Sequence, residues 1–443
     1  MQDMTGVVPV TSLPYSQFKQ HIGEQVTIKG AIHNIRDMSD FAFILVRTAR
    51  ELIQCVYSPK FSDYRLTPDV VEQCTAKVTG KVVPSETRDG SERYELQISN
   101  IEILSTPAAI PPVVISKKQV TCDLSTLLDF RPVALRNPKE RAIFKIQEGI
   151  QRGFREFLTS QNFTEVHTPK INFAGAEGGT NVFKLDYFGK TVYLAQSPQL
   201  YKQALVPVYE RVFEIGPVFR AEHHDTSRHL NEYISMDFEM GYIEDFTDIM
   251  NMETGALQYI MNLLKAEYAP EVELLKVDIP EIKSIPCIRF KDAKEMCIKK
   301  LKNITDMKDF EPEEEAFLGK WAKKQYNSDF LFVTHYLSAK RPFYTMDDPK
   351  DPEVTLSFDL LFRGLEITSG GQRIHDYNMQ VQKMEKLRMN PEEFETYLML
   401  HKYGAPPHGG LGLGLERLTM HLLGFKNVRY ATMFPRDINR VTP

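Results

Sequence analysis

The chain has 443 residues, 42% of them hydrophobic, which suits two or three domains with a sizeable core. Its net charge of −5 excludes a uniformly basic nucleic-acid binder, so any contact with nucleic acid has to rest on local patches and specific groups. Five cysteines without CxxC or metal-ligand spacing (Cys55, Cys74, Cys122, Cys287 and Cys297), no signal-peptide pattern and no bilayer-spanning run leave a cytoplasmic protein with reduced thiols and no membrane partner as the expectation.

Residues 22–105 carry five short β-like runs, VTIKGAI, FAFILV, LIQCVYS, TAKVTGKVV and YELQISNIEIL, separated by turn residues. Five short strands of this kind predict a small barrel, and the OB-fold is a frequent oligonucleotide binder of this size. A proline-bearing stretch, Pro107 to Pro112, reads as a stiff connector. The expected division is therefore a barrel over 1–105, a hinge over 106–135 and a second domain over 136–443. That domain opens with RAIFKIQEGIQRGFREFLTSQNFTEVHTPKI, in which Ile143, Ile146, Ile150, Phe154 and Phe157 recur every three to four residues as one apolar stripe of a helix.

Arg211 to Glu222, RVFEIGPVFRAE, alternates as a strand does, a polar loop runs from His223 to Leu230, and Glu232 to Tyr242 is a second β-rich run. Residues two apart on a strand share a face, so the hairpin predicts Arg220 beside Glu222, with Arg228 and His229 in the loop between. Between 244 and 350, EPEEEAFLGKWAKKQ reads as helix and DFLFVTHYL as strand. The apolar strand FDLLFRGLEITS carries Asp359 and Glu366. Near the end, HGGLGLGLERL places four glycines in six positions ahead of a helix containing Arg417. Glycines admit close approach of a ligand, and a helix start with an arginine suits phosphate. Neither a Gly-Lys-Ser/Thr loop nor an early strand–GxGxxG–helix unit is present, so a different kind of nucleotide site is required.

FRAEHHDTSRHLNEYISMDFEM resembles motif 2 of the class II aminoacyl-tRNA synthetases, GGLGLGLERL resembles their motif 3, and the 141–171 segment resembles motif 1. Three further stretches, Glu177 to Thr180, QSPQLYKQ over 196–203, and SGGQR over 369–373, resemble aspartyl-tRNA synthetases of the archaeal and eukaryotic type. The resemblance implies an α+β protein: an N-terminal OB-fold barrel, then a class II catalytic domain built on an antiparallel sheet flanked by helices, with an insertion at about 244–350 that leans over the tRNA acceptor stem.

It also implies roles. Arg220 and Arg417 would be catalytic, holding the α- and γ-phosphates of ATP, and Glu222, Arg228, His229, Leu230, Tyr233, Glu366 and Gly414 would complete the ATP site. Glu177, Ser197, Gln199, Lys202, Ser369 and Arg373 would bind aspartate, the lysine and arginine meeting its side-chain carboxylate. Asp359, Glu366 and Ser369 would hold Mg2+ on the ATP phosphates. Arg36, Phe43 and Gln54 would read the anticodon, the ring by stacking and the amide by hydrogen bonds. Motif 1 with Pro169 implies a homodimer. The implied reaction is aspartate activation by ATP and transfer to tRNA(Asp). Strictly selective members tend to have tryptophan near Gly30 to His33. A histidine there, with a proline near Pro84, resembles members that charge tRNA(Asn) as well. The alternatives are an ammonia ligase paralogue, which would lack the barrel, and a non-catalytic tRNA-binding paralogue, which would have lost Arg220, Arg417 or Glu366.

Overall fold

The computed structural model describes residue 6 and residues 12–86, 92–173, 181–223, 225–302 and 304–443, and it divides into two compact units, Met1–Glu140 and Arg141–Pro443. In the first unit, strands Gln25–Asp37, Ala42–Arg47, Leu52–Tyr57, Thr75–Glu86 and Glu92–Ser105 close into a barrel in the order first, second, third, fifth, fourth. Alternation sends Ile28, Ile32, Ile44, Val46, Ile53, Cys55, Val78 and Leu96 inward, all fully buried. Closure comes from a short parallel pairing, Cys55 opposite Leu96, while every other barrel pair is antiparallel. Two short helices follow, Leu124–Asp129, N-capped by Asp123, and Arg131–Ala134. The fully buried Arg131 donates to Glu140 at 3.2 Å.

The second unit is built on an eight-stranded sheet. Across it lie Cys287–Arg289, Phe330–Thr334, Ser357–Phe362, Leu365–Gln372, His408–Gly414, Glu232–Gly241, Arg211–Phe219 and Thr164–Glu165. The central pairs are antiparallel as expected, and the outermost pair at each end is parallel. Parallel partners require a crossover. The two end pairs have one, through helices Phe290–Lys300 and Pro312–Tyr326 on one side and helix Gln199–Tyr209 on the other.

One face of the sheet carries the main core. The predicted stripe of helix Pro138–Ser160 is buried there, Ile146, Ile150 and Phe154 packing with Leu257, Ile260 and Leu264 of helix Thr247–Glu267 against Met236, Phe238 and Met240 of the sheet. The helices approach closely because Gly149 and Gly153 face Leu264 and Ile260; a Cβ on Gly149 would come within 2.6 Å of Leu264 Cδ2. The residues alternating with Met236, Phe238 and Met240 point to the opposite face, which leaves Ser235, Asp237 and Glu239 for the site. Both elements expected within 244–350 form: Pro312–Tyr326 is a helix with a Glu311/Glu314 capping box, and Phe330–Thr334 is a strand of the main sheet.

Candidate active site

A cleft of about 340 Å³ lies over the sheet's centre, within the usual range for a small-molecule site. The half expected to take the nucleotide begins at the motif 2 hairpin, whose first strand stops at Phe219, short of the expected Glu222. Asn231 ends the ladder by donating its side-chain amide to Arg220 O at 2.7 Å and Glu222 O at 3.0 Å. Arg220 and Glu222 therefore meet in a turn rather than along a strand, Nη1 to Oε1 at 3.8 Å, and His229 Nε2 lies 3.6 Å from the other Glu222 oxygen. The Arg220 guanidinium lies 5.8 Å from the Tyr233 ring centre. Arg228, Leu230, Glu366, Gly414 and Arg417 also line the cleft. Arg417 donates Nη1 to Glu366 O at 3.0 Å.

The glycine run expected to admit close approach of a ligand ahead of a helix forms a strand, His408–Gly414. Its glycines answer mostly to neighbours within the protein. A Cβ on Gly410 would come within 2.1 Å of Phe238 O and 2.3 Å of Glu239 Oε2, and one on Gly412 within 3.0 Å of Asp237 Oδ1. Only backbone can pass beneath those two carboxylates. Gly412 and Gly414 are the glycines of the run that face the cleft, Gly414 at the N-cap of helix Leu415–Leu422.

The half expected to take the amino acid rests on a buried charge network. Lys202, on helix Gln199–Tyr209, lies behind the cleft wall; its ammonium donates to Asp237 Oδ1 at 2.9 Å and Leu411 O at 2.7 Å, and lies 3.4 Å from Glu239 Oε2. Arg373 lines the cleft and grips Glu239 with Nε to Oε1 at 2.8 Å and Nη2 to Oε2 at 3.3 Å, while Nη2 also reaches Gln199 Oε1 at 3.3 Å. Burial alone would raise the Glu239 carboxyl, but Arg373 and then Lys202 bring it below the ordinary value. Among the described residues, Asp237 Oδ2 and Gln199 Nε2 are buried with no hydrogen-bond partner. Ser197 and Ser369 complete this half. Glu177, expected to bind the substrate, lies outside the described residues.

Asp359 sits opposite Ser369 on adjoining strands, and Glu366 reaches the same place, its Oε1 accepting from the Ser369 hydroxyl at 3.2 Å. Burial, then the Asp359 charge, raises the Glu366 carboxyl. Asp359 Oδ2 accepts from Arg341 at 2.7 Å, and Asp359 is buried. Among the described residues no three His, Cys, Asp or Glu form a ready cage. Two neighbouring carboxylates, Glu366 lining the cleft and Asp359 buried beside it, nevertheless fit magnesium, which binds through few carboxylates plus substrate phosphates.

Sequence reasoning missed Ser235, Asp237 and Glu239, although the alternation through YISMDFE was the signal that would have placed them beside Tyr233. It also missed Glu416, whose two oxygens each accept from Ile234 N at 3.1 Å and whose carboxyl burial pushes up to about 8. Lys340, Arg341 and Tyr344 reach the cleft from a loop that carries no motif.

On the barrel, Phe43 and Gln54 occupy outward positions of neighbouring strands, between the buried Ala42, Ile44, Ile53 and Cys55. Register sets the exposed Arg36 opposite Phe43, and Gln54 opposite Leu45, so the three share one outer face. Gln54 donates to Glu95 at 3.0 Å. His33 is placed differently: it is buried, with its Nδ1 3.0 Å from Arg47 Nη1.

Residues 123–438 match the tRNA synthetases class II (D, K and N), and residues 26–104 match the OB-fold nucleic acid binding domain of the anticodon-binding type. The chain is 45% identical to the aspartate–tRNA(Asp/Asn) ligase of Deinococcus radiodurans over 96% of its own length and 98% of the relative's, and 38% identical to the aspartate–tRNA(Asp) ligase of Pyrococcus horikoshii over 95% and 97%. Among solved structures, asparaginyl-tRNA synthetase from Pyrococcus horikoshii complexed with asparaginyl-adenylate superposes with a TM-score of 0.87 at 28% identity, covering 96% and 97% of the two chains. Aspartyl-tRNA synthetase from Entamoeba histolytica superposes at 0.84 with 30% identity, covering 98% and 92%. The chain belongs to the class II tRNA synthetases of the D, K and N group, in its aspartate–tRNA ligase branch.

Proposed function

We propose that this chain activates L-aspartate with ATP to aspartyl-adenylate and pyrophosphate, then transfers the aspartyl group to the 3′-terminal adenosine of tRNA(Asp), and of tRNA(Asn) as well. The observation that carries the reading is one cleft joining an arginine-lined nucleotide half to a buried Lys202–Glu239–Arg373 network. Arg373 Nη1 makes no hydrogen bond within the described residues and is the donor left for the substrate's side-chain carboxylate. Asp237 Oδ2, with Ser197 and Gln199, receives the substrate ammonium. Lys202 acts from behind, holding Asp237 and Glu239 in place.

The α-carboxylate of the bound aspartate attacks the α-phosphorus, so no protein nucleophile is needed. Arg220 holds the α-phosphate, Arg417 the γ-phosphate, Arg228 and His229 flank the chain of phosphates, Tyr233 stacks beneath adenine within reach of Leu230 and Gly414, and Glu222 accepts from the adenine amino group. Their contribution is positioning and charge stabilisation. Magnesium, held by Asp359, Glu366 and Ser369, would neutralise phosphate charge. Arg36, Phe43 and Gln54 read the anticodon from a domain over 1–105, joined through 106–135 to a catalytic domain over 136–443. Helix Pro138–Ser160 and Pro169 serve a homodimer, and the enzyme works in the cytoplasm; among the described residues no helix is long and apolar enough to cross a membrane. The tRNA(Asn) activity is supported by the Asp/Asn naming of the Deinococcus relative and by His33.

Incubating the protein with ATP, labelled aspartate and a tRNA(Asp) transcript tests this directly. A base-labile aspartyl ester on the tRNA is the expected product. Asparagine formed from ammonia, or tRNA binding without charging, would select one of the two rivals.

A further inference from the structure

Helix Pro312–Tyr326 does more than cover the sheet. Its residue Glu315 accepts from Arg228 Nη1 at 2.9 Å, with the Glu315 side chain 13% exposed. This is the one side-chain hydrogen bond that Arg228 makes among the described residues. The helix is seated so that Glu315 cannot drift. Gly364 in the Arg363–Gly364 turn has φ +77°, and a Cβ there would come within 2.8 Å of Ala316 Cα and 3.0 Å of Glu315 O; a Cβ on Gly319 would come within 2.4 Å of Gly364 N. The same turn leads into the strand bearing Glu366. Glu315 is thus fixed by close backbone packing against the strand that carries the candidate phosphate-side carboxylate, and it also feels the charges of Glu366 and Arg417.

We propose that Glu315 is a positioning residue of the nucleotide site, holding the motif 2 loop arginine Arg228 over the phosphates of ATP. The inference rests on the reading of the cleft as an ATP site. An exposed arginine on a loop searches many rotamers, and a half-buried carboxylate that occupies Nη1 alone fixes the guanidinium while leaving Nη2 and Nε for phosphate oxygens. Nothing in the run EPEEEAFLGKWAKKQ distinguishes Glu315 from its neighbours Glu313 and Glu314, of which Glu314 is buried against Lys294 at 2.6 Å. Only the fold singles it out.

Aspartate-dependent pyrophosphate exchange on the full chain tests the proposal with Glu315→Ala, Glu315→Gln, Arg228→Ala and the Ala/Ala double variant. Glu315→Ala should raise the KM for ATP by about ten- to a hundredfold, the range expected for loss of a charge-assisted hydrogen bond, and leave the KM for aspartate within about twofold. Glu315→Gln, which keeps an acceptor for Nη1, should recover most of the loss, and the double variant should be no worse than Arg228→Ala alone. An unchanged or lowered KM for ATP in Glu315→Ala would overturn the proposal, the lowered value meaning that Glu315 competes with phosphate for Arg228. Equal loss in both KM values with a falling Tm would also overturn it, as a merely structural effect. Failure of the ATP-site reading looks different: Arg228→Ala would then leave the KM for ATP at the wild-type value.

Discussion

The Lys202 ammonium lies 2.9 Å from Asp237 Oδ1 with both side chains only 2% exposed, so the lysine is committed to a carboxylate of the protein before any substrate arrives. Lys202→Met would leave Asp237 and Glu239 buried with one cation fewer. Removing one partner of a buried charge pair costs about 3–5 kcal/mol, roughly two to four decades in rate or affinity. Aspartate-dependent pyrophosphate exchange should fall by that amount while ATP binding, followed by calorimetry, persists. Exchange at wild-type efficiency would refute the role given to Lys202.

Arg220 and Arg417 reach the cleft with side chains 44% and 29% exposed, so truncating them should spare the fold. Arg220→Ala and Arg417→Ala should each slow single-turnover adenylate formation by about two decades or more, as for other preorganised donors to developing charge. Normal activation in both, with unchanged thermal unfolding, would mean that the nucleotide half has been misassigned.

Glu416 gives a pH signature. Its folded-state carboxyl is raised from 4.5 to about 8 by burial, so between these values the unfolded chain holds fewer protons than the folded one. Stability from this group is therefore fully present below pH 4.5 and is lost as pH rises toward about 8. Glu416→Gln keeps an acceptor for Ile234 N without the ionisation. The variant should gain in Tm relative to wild type at pH 8 and not at pH 5, measured by thermal unfolding across the range. A difference independent of pH would contradict the assignment.

Much of this site was legible because its parts are local in sequence. The hairpin that holds Arg220, Glu222 and Tyr233, the strand that holds Asp359 and the turn of helix that holds Arg417 each announce themselves by period and composition. What stayed hidden was set by register between distant segments. Gly410 and Gly412 read as room for a ligand, and the pairing of His408–Gly414 with Glu232–Gly241 puts Asp237 and Glu239 over them. Lys202, expected as a ligand for substrate, is supplied by the same pairing with two carboxylates of the protein, which its own segment does not reveal. His33 is buried beside Arg47 at a bulge between Ile32 and Asn34, a register shift that single-sequence alternation does not reveal.

Phe43 and Gln54 face outward on the barrel, which suits stacking and base-edge recognition. Phe43→Ala and Gln54→Ala should weaken tRNA binding by about 1–3 kcal/mol, read as a raised KM for tRNA, and leave tRNA-independent pyrophosphate exchange intact. The aspartate and asparagine anticodons differ only at their third base, C against U. Wild-type aspartylation of tRNA(Asn) should therefore stay within about tenfold of tRNA(Asp), a gap below ~1.4 kcal/mol. A preference beyond about a hundredfold, ~2.7 kcal/mol, would leave an ordinary selective enzyme.

The Arg373 side of the cleft should select a side-chain carboxylate. ATP–pyrophosphate exchange measured in parallel with aspartate, asparagine, glutamate and lysine, without tRNA, tests it most directly. Exchange with aspartate is expected, with at least about a hundredfold less with asparagine, whose neutral amide cannot satisfy the Arg373 Nη1 donor in the same charged pairing. Equal or faster exchange with asparagine, or none with aspartate, would contradict it.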